Sequence, residues 1–134
     1  MTRERIGLLA IDHVQVAMPT GGEVEARRFY GELLGLREVQ KPAALAGRGG
    51  CWFAGPAGLA VHLGVEEPFT AAARAHPGFV VADLAVARER LAAAGLAMEP
   101  DESGVGVARG YVRDPFGNRI ELVDARDAGF SERG

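Results

Sequence analysis

The chain has 134 residues, 48% of them apolar and 25% charged, proportions that suit one packed domain and exclude wholesale disorder. A formal net charge of -3 argues against a nucleic-acid partner, because phosphate binding needs a basic face. No segment reaches the roughly 18 consecutive apolar residues of a membrane span, the N-terminal apolar run is too short for a signal peptide, and Cys51 is the single cysteine, so a reduced, cytoplasmic setting with no internal disulfide and no membrane partner is expected.

In chain order, "IDHVQVAM" (Ile11–Met18) alternates and is rich in β-branched residues, which predicts a strand, and "PTGG" breaks it. "EVEARRFYGELLG" places Val24, Ala26, Phe29, Tyr30, Leu33 and Leu34 at helical spacing, with Gly35 as C-terminal cap. "LREVQ" predicts a short strand and "KPAALAGRGG" a loop. "CWFAG" and "LAVHLGV" read as strands joined by a Pro-Ala-Gly turn. A linker, "EEPFTAAARA", has room for a turn of helix. The order then repeats: strand "HPGFVVAD", helix "LAVARERLAAAG" with Leu84, Val86, Ala87, Leu91 and Ala94 on one side, short strand "LAMEP", loop "DESGVG", strand "VARGYVRD", turn "PFGN" and strand "RIELVD". The tail "ARDAGFSERG" reads as frayed or as a minor packing element. The expected fold is therefore α+β, two β-α-β-β-β units in tandem.

The duplication is plainest where "GPAGLAVHL" (Gly55 to Leu63) meets "DPFGNRIEL" (Asp114 to Leu122): the two share Pro56/Pro115, Gly58/Gly117, Val61/Ile120 and Leu63/Leu122. Side chains alternate across a strand. With the aliphatic residues packed inward, His13 and Gln15, His62, His76, and Glu121 with Arg119 all fall on the opposite, open face. A lone strand histidine is ordinarily a surface or hydrogen-bonded residue. Three histidines and a glutamate at matching positions of a repeat point instead to a first-row divalent metal, since imidazole suits such ions and one carboxylate offsets charge. Trp52 and Tyr111 form another equivalent pair on the open face. They are placed to hold an apolar or aromatic substrate, with core packing as the alternative for Trp52. Gln15 is either an orienting group for a ligand oxygen or a polar strand residue, and Arg119 either an anion-binding group or a surface arginine. Phe29 and Tyr30 belong to the core, Cys51 is expected buried and inert, and Glu66 and Glu67 read as a solvated linker pair.

Through "IDHVQVA", "RRFYGELLGL", "HPGFVVADL" and "DPFGNRIELVD" the chain resembles the vicinal oxygen chelate superfamily, which includes glyoxalase I, fosfomycin and bleomycin resistance proteins, extradiol dioxygenases and methylmalonyl-CoA epimerase. The resemblance covers about Ile11 to Asp124. It implies two βαβββ modules (about 8–66 and 75–126) in one domain spanning 8–126, with tails at 1–7 and 127–134, and a curved sheet around a divalent metal (Zn, Ni, Mn or Fe(II)) held by His13, His62, His76 and Glu121. Glyoxalase I usually carries a glutamate at the place of His62, so this chain departs from it there. His62 and Glu121 are the implied proton-moving groups, since a histidine titrates near neutrality. The resemblance also implies a homodimer and a small-molecule substrate, handled by glyoxalase-like lyase or isomerase chemistry through a stabilised enediolate or oxyanion. The alternatives are an Fe(II) ring-cleaving dioxygenase on a two-histidine, one-carboxylate set, and a non-catalytic protein that sequesters an antibiotic or other small toxic compound.

Overall fold

A computed structural model describes residues 4–101 and 108–130. It contains two four-stranded mixed sheets. The first, in order β1-β4-β3-β2, is built from β1 (Val14–Met18), β2 (Arg37–Val39), β3 (Cys51–Ala54) and β4 (Ala60–Val65). The second, in order β5-β8-β7-β6, is built from β5 (Gly78–Val81), β6 (Glu99–Pro100), β7 (Arg109–Arg113) and β8 (Arg119–Asp124). In each sheet the first strand crosses over to lie parallel to the last, and the remaining pairs are antiparallel. This is the α+β, twice-repeated βαβββ architecture expected from the sequence. No helix among the described residues is long and apolar enough to cross a membrane.

The crossovers are helical. In the first half, α1 (Glu23–Ala26) widens into π-helical turns over Arg27–Leu33, marked by the bond from Leu34 N–H to the Phe29 carbonyl five residues back (2.8 Å). Gly35 then takes φ +81°, the left-handed C-terminal conformation expected of it. In the second half, α2 (Leu84–Ala93) is capped by Asp83, whose side chain accepts from the Ala85 and Val86 N–H groups (3.0 and 3.2 Å). The inward faces merge into one apolar core that includes Met18, Tyr30, Phe53, Leu63, Leu91, Ile120 and Leu122. Val24 and Val86 were expected to face it, but both are exposed, because each helix offers the core only a narrow stripe.

Several predicted boundaries shift. The first strand begins at Val14 rather than Ile11, because its one partner, β4, starts at Ala60 directly after the turn at Pro56–Gly58, so Ile11 and Asp12 lie beyond its start and His13 is level only with its first residue. This leaves Ile6, Leu8, Leu9 and Ile11 80–97% exposed on an arm leading into β1. The fifth strand likewise starts at Gly78, not His76. The loop after β2 contains a 3₁₀ turn (Ala43–Arg48), the linker has no helix, and the tail forms the short α3 (Ala125–Ala128). Cys51 is buried, and burial pushes its thiol up to about 11, consistent with an inert role. Glu67 is not merely solvated: it accepts from both the backbone N–H and the hydroxyl of Thr20. Most of "DESGVG" lies outside the described residues.

The repeated turns close alike. Gly55 N–H bonds to the Leu59 carbonyl (2.8 Å), and Asp114 N–H to the Asn118 carbonyl (2.9 Å). In the first copy Ala57 sits at φ 56°, ψ 35°, the left-handed region that a Cβ disfavours. Ala57→Gly is expected to raise stability by roughly 0.5–1 kcal/mol, the relief of left-handed strain exceeding glycine's entropic cost. Urea unfolding reads it directly, and an unchanged or lower midpoint would refute the strain.

In the second copy the turn is a polar clamp. Asp114 Oδ1 accepts from the Phe116 and Asn118 N–H groups (2.9 and 2.8 Å), and Oδ2 accepts from the Tyr30 hydroxyl (2.6 Å) and Asn118 Nδ2 (2.9 Å). Asn118 Nδ2 also donates to the Ala17 carbonyl (2.7 Å). The turn of one half thus grips both the helix and the first strand of the other. At the end of β8, Asp124 is a second hub, 2% exposed. Its Oδ2 accepts from Leu84 N–H at the start of α2, and its Oδ1 from Arg126 N–H at the start of α3, both at 2.9 Å.

The Arg126 side chain, then the Leu84 and Arg126 N–H groups, hold the Asp124 carboxyl well below the usual carboxylate range. A depressed carboxyl contributes stability that is present above the unfolded value near pH 4 and lost as pH falls through the folded one. The stability gap between wild type and Asp124→Asn is therefore expected to be widest above pH 4 and to close on acidification. Urea unfolding at pH 5, 4 and 3 checks this, and a gap that does not change with pH contradicts it.

Candidate functional site

The open face of the first sheet is centred on His62 in β4. Register sets Gln15 of β1 on one side of it and Trp52 of β3 on the other. The Trp52 ring stacks on the imidazole at 3.7 Å between centroids, with 1° between planes, and the His13 ring also stacks on it at 4.2 Å and 18°. His62 is buried in this sandwich. Desolvation, and then the neighbouring His13, lower its pKa, so the ring is neutral at physiological pH. His13, just before β1, bonds through Nδ1 to Asp12 Oδ1 (2.8 Å). Gln15 is exposed, with its amide lying across Gly64, where a Cβ would come within 2.5 Å of Nε2.

The second sheet repeats the plan with Glu121 at the centre of β8, between Tyr111 of β7 and Gly78 of β5. A Cβ at residue 78 would sit 2.9 Å from Glu121 Oε2, so glycine leaves the space that carboxylate oxygen occupies. His76 lies edge-on to the Tyr111 ring (5.7 Å, 84°), and its Nε2 stands 3.8 Å from Glu121 Oε2. The Arg119 guanidinium covers the Tyr111 ring at 3.8 Å, a cation–π contact. Arg109 was not singled out in the sequence. It reaches Glu121 Oε1 through Nη1 (3.3 Å), and its Nε stands 3.6 Å from Asp101 Oδ2. Alternation had a signal for it: Arg109 lies two residues before Tyr111 and so shares its face.

The structure thus brings His13, His62 and Trp52 together on one sheet, and His76, Glu121, Tyr111 and Arg119 together on the other. It does not bring the four expected ligands to one point: among the described residues no three His, Cys, Asp or Glu side chains converge on a position for a metal. The donors fall into two pairs because they stand on separate sheets, which meet through the shared apolar core and the Asn118–Ala17 and Tyr30–Asp114 hydrogen bonds.

Each pair nonetheless has ligand chemistry. A carbonyl only accepts, so the 2.8 Å contact of His76 Nδ1 with the Arg74 carbonyl puts a proton on Nδ1, and in the neutral ring the lone pair lies on Nε2. The Asp12 carboxylate does the same for His13. A second hydrogen bond that fixes the tautomer is the usual companion of a metal-ligating histidine. Two ligands with bonds of about 2.1 Å at a tetrahedral angle lie about 3.4 Å apart, so the 3.8 Å between His76 Nε2 and Glu121 Oε2 needs little movement. Two hollows adjoin these groups. One, of about 760 Å³, is bounded by His13, Leu59, Gly78, Phe79 and Phe130. The other, of about 400 Å³, is bounded by Gln15, His76 and Arg119. Both volumes suit small organic ligands.

The family model of the Glyoxalase/Bleomycin resistance protein/Dioxygenase superfamily matches residues 10–122. Among solved structures, the chain is similar to a glyoxalase family protein from Bacillus anthracis, with 46% identity, a TM-score of 0.85, and coverage of 90% of this chain and 98% of that one. It shares its fold with lactoylglutathione lyase from Agrobacterium tumefaciens (20% identity, TM-score 0.70, covering 93% and 100%). It also shares its fold with the fosfomycin resistance protein FosX from Listeria monocytogenes (16% identity, TM-score 0.70, covering 88% and 94%). A comparison with curated proteins returns no match.

Proposed function

We propose, for a chain that belongs to the Glyoxalase/Bleomycin resistance protein/Dioxygenase superfamily, a metal-dependent enzyme that acts on a small oxygenated substrate by glyoxalase-like lyase or isomerase chemistry. The observation that carries this reading is the His76–Glu121 pair: an imidazole whose proton is tied to the Arg74 carbonyl and whose Nε2 lone pair stands 3.8 Å from a carboxylate oxygen. His13, tied likewise to Asp12, supplies the next donor. The named lyase and resistance relatives are consistent with small-molecule chemistry on this fold.

His13, His76 and Glu121, with His62 as fourth donor or proton carrier, would hold a divalent ion (Zn, Ni, Mn or Fe(II)), which would supply Lewis acidity toward substrate oxygens. The chain's own residues do the rest. His62, held neutral in its stack, is the group placed to take up a substrate proton. Trp52 and Tyr111 wall the open faces on either side, and Arg119 offers a guanidinium to an anionic substrate group. The two donor pairs on separate sheets support a homodimer in which the His13–His62 face of one protomer meets the His76–Glu121 face of its partner. The exposed aliphatic arm at Ile6 to Ile11 supports the same assembly, since such a patch is usually covered.

Metal analysis of purified and reconstituted protein, with light scattering for mass, tests the reading. Stoichiometric Ni, Zn or Mn without oxygen uptake is the expected result. Bound iron with oxygen uptake on catechols would point to the ring-cleaving dioxygenase. No stoichiometric metal under any reconstitution would sink both enzymes and leave sequestration in the apolar hollow.

A further inference from the structure

We propose that Arg109 is a positioning residue for Glu121: backed by Asp101, its guanidinium holds Glu121 Oε1 and so presents Oε2, beside His76 Nε2, as the ligand oxygen. This rests on the metal-dependent reading above.

The geometry divides the two oxygens of Glu121. Oε1 faces Arg109 Nη1 at 3.3 Å, while Oε2 faces His76 Nε2 at 3.8 Å. Register places Arg109 opposite Val123, two residues along from the Tyr111–Glu121 pair and on the same face, so the guanidinium reaches Glu121 diagonally. Gly78 keeps the β5 side open. Arg109 thus holds one oxygen of Glu121 while the other faces His76, and the Tyr111 hydroxyl also engages the carboxylate.

Asp101 accounts for the charge. A lone guanidinium beside a ligand carboxylate repels an incoming cation. Here Asp101 Oδ2 lies 3.6 Å from Arg109 Nε, and the three side chains are largely withdrawn from water (exposures of 24% for Arg109, 12% for Asp101 and 13% for Glu121). The Asp101–Arg109 pair is neutral in sum, so Glu121 keeps its charge for a cation. Arg109 Nε is buried, and 3.6 Å is too long for a hydrogen bond; among the described residues it has none.

The test titrates the full-length protein with Co(II), followed by its visible d–d spectrum, and with Ni(II) by calorimetry, in wild type, Arg109→Met, Arg109→Lys and Asp101→Asn, with circular dichroism on each. Arg109→Met is expected to weaken binding 10–100-fold, the usual cost of losing a group that orients a ligand. Its Co(II) bands should weaken too, as a freed Glu121 turns bidentate and raises the coordination number. Arg109→Lys should recover part of the affinity, and Asp101→Asn should weaken binding by leaving the guanidinium uncompensated. Affinity within twofold of wild type together with an unchanged spectrum in Arg109→Met overturns the proposal, as does tighter binding, which would make Arg109 a competitor of the metal. If Arg109→Met does not fold, Arg109→Lys and Asp101→Asn decide by the same criteria. A wild type that binds neither ion defeats the metal-dependent reading itself. A wild type that binds, with variants that bind equally, defeats only the role of Arg109.

Discussion

Glu121→Gln is expected to lower affinity for Ni(II) or Zn(II) by at least about 100-fold while leaving the fold intact. The substitution keeps the shape of the side chain and removes the one carboxylate of the expected donor set. Groups that merely orient a ligand are worth 10–100-fold, so the loss of the ligand itself should reach or exceed the upper end. The fold should survive because Glu121 belongs to the open face: its neighbours in β8, Ile120 and Leu122, are buried in the core, and it is not. Calorimetric titration and melting curves of the same preparations separate the two effects. Affinity within threefold of wild type would remove Glu121 from the ligand set, whereas a collapsed melting transition would show that its pairing with Arg109 is structural. His13→Ala in parallel tests the other sheet's donor.

The largest effect on stability is expected at Asp114. Asp114→Ala should cost about 3–4 kcal/mol, because four donors lose their acceptor at a site only 4% exposed, and each buried group left unpaired costs about 1–3 kcal/mol before relaxation. For a domain of this size that corresponds to a melting temperature lower by roughly 10–15 °C. Tyr30→Phe removes a single donor and should cost about 1–2 kcal/mol. In Asp114→Ala the Tyr30 phenol cannot substitute for the lost charge by ionising, since burial, the largest cause, pushes its pKa up. Loss of less than about 1 kcal/mol in Asp114→Ala would mean that the two halves are not held through this turn.

These two residues also mark what was readable in the sequence. Strands β3, β4, β7 and β8 were legible nearly to the residue because they form hairpins: alternation, turn chemistry and pairing are all local. Alternation likewise put His62 with Trp52, and Glu121 with Tyr111, on the open faces, and it extends to Arg109 by the same count. The start of β1 was not legible, because it depends on where a strand some 45 residues later begins. The widening of the first helix was hidden as well, since its apolar spacing fits an ordinary α-helix. The turn "DPFGN" was recognisable as a motif, but its grip on Tyr30 and Ala17, 84 and 101 residues away in sequence, is a tertiary fact. So is the failure of the four donors to meet: strand register says which way a side chain points, not where two sheets stand relative to each other.

Trp52 is the only tryptophan in the chain, and it lies flat against the His62 imidazole. Ultraviolet emission from this protein therefore comes from a single indole pressed on the ring at the heart of the candidate site. A protonated imidazole draws electron density from an excited indole and dims it, while a neutral one does so far less. Uptake of a proton by His62, capture of an ion by His13, or wedging of a planar ligand between the rings will each alter brightness or colour without any label. The stack that keeps His62 dry is thus also an optical gauge, through which titrations of metal, acid or small molecules can be followed in the unmodified protein.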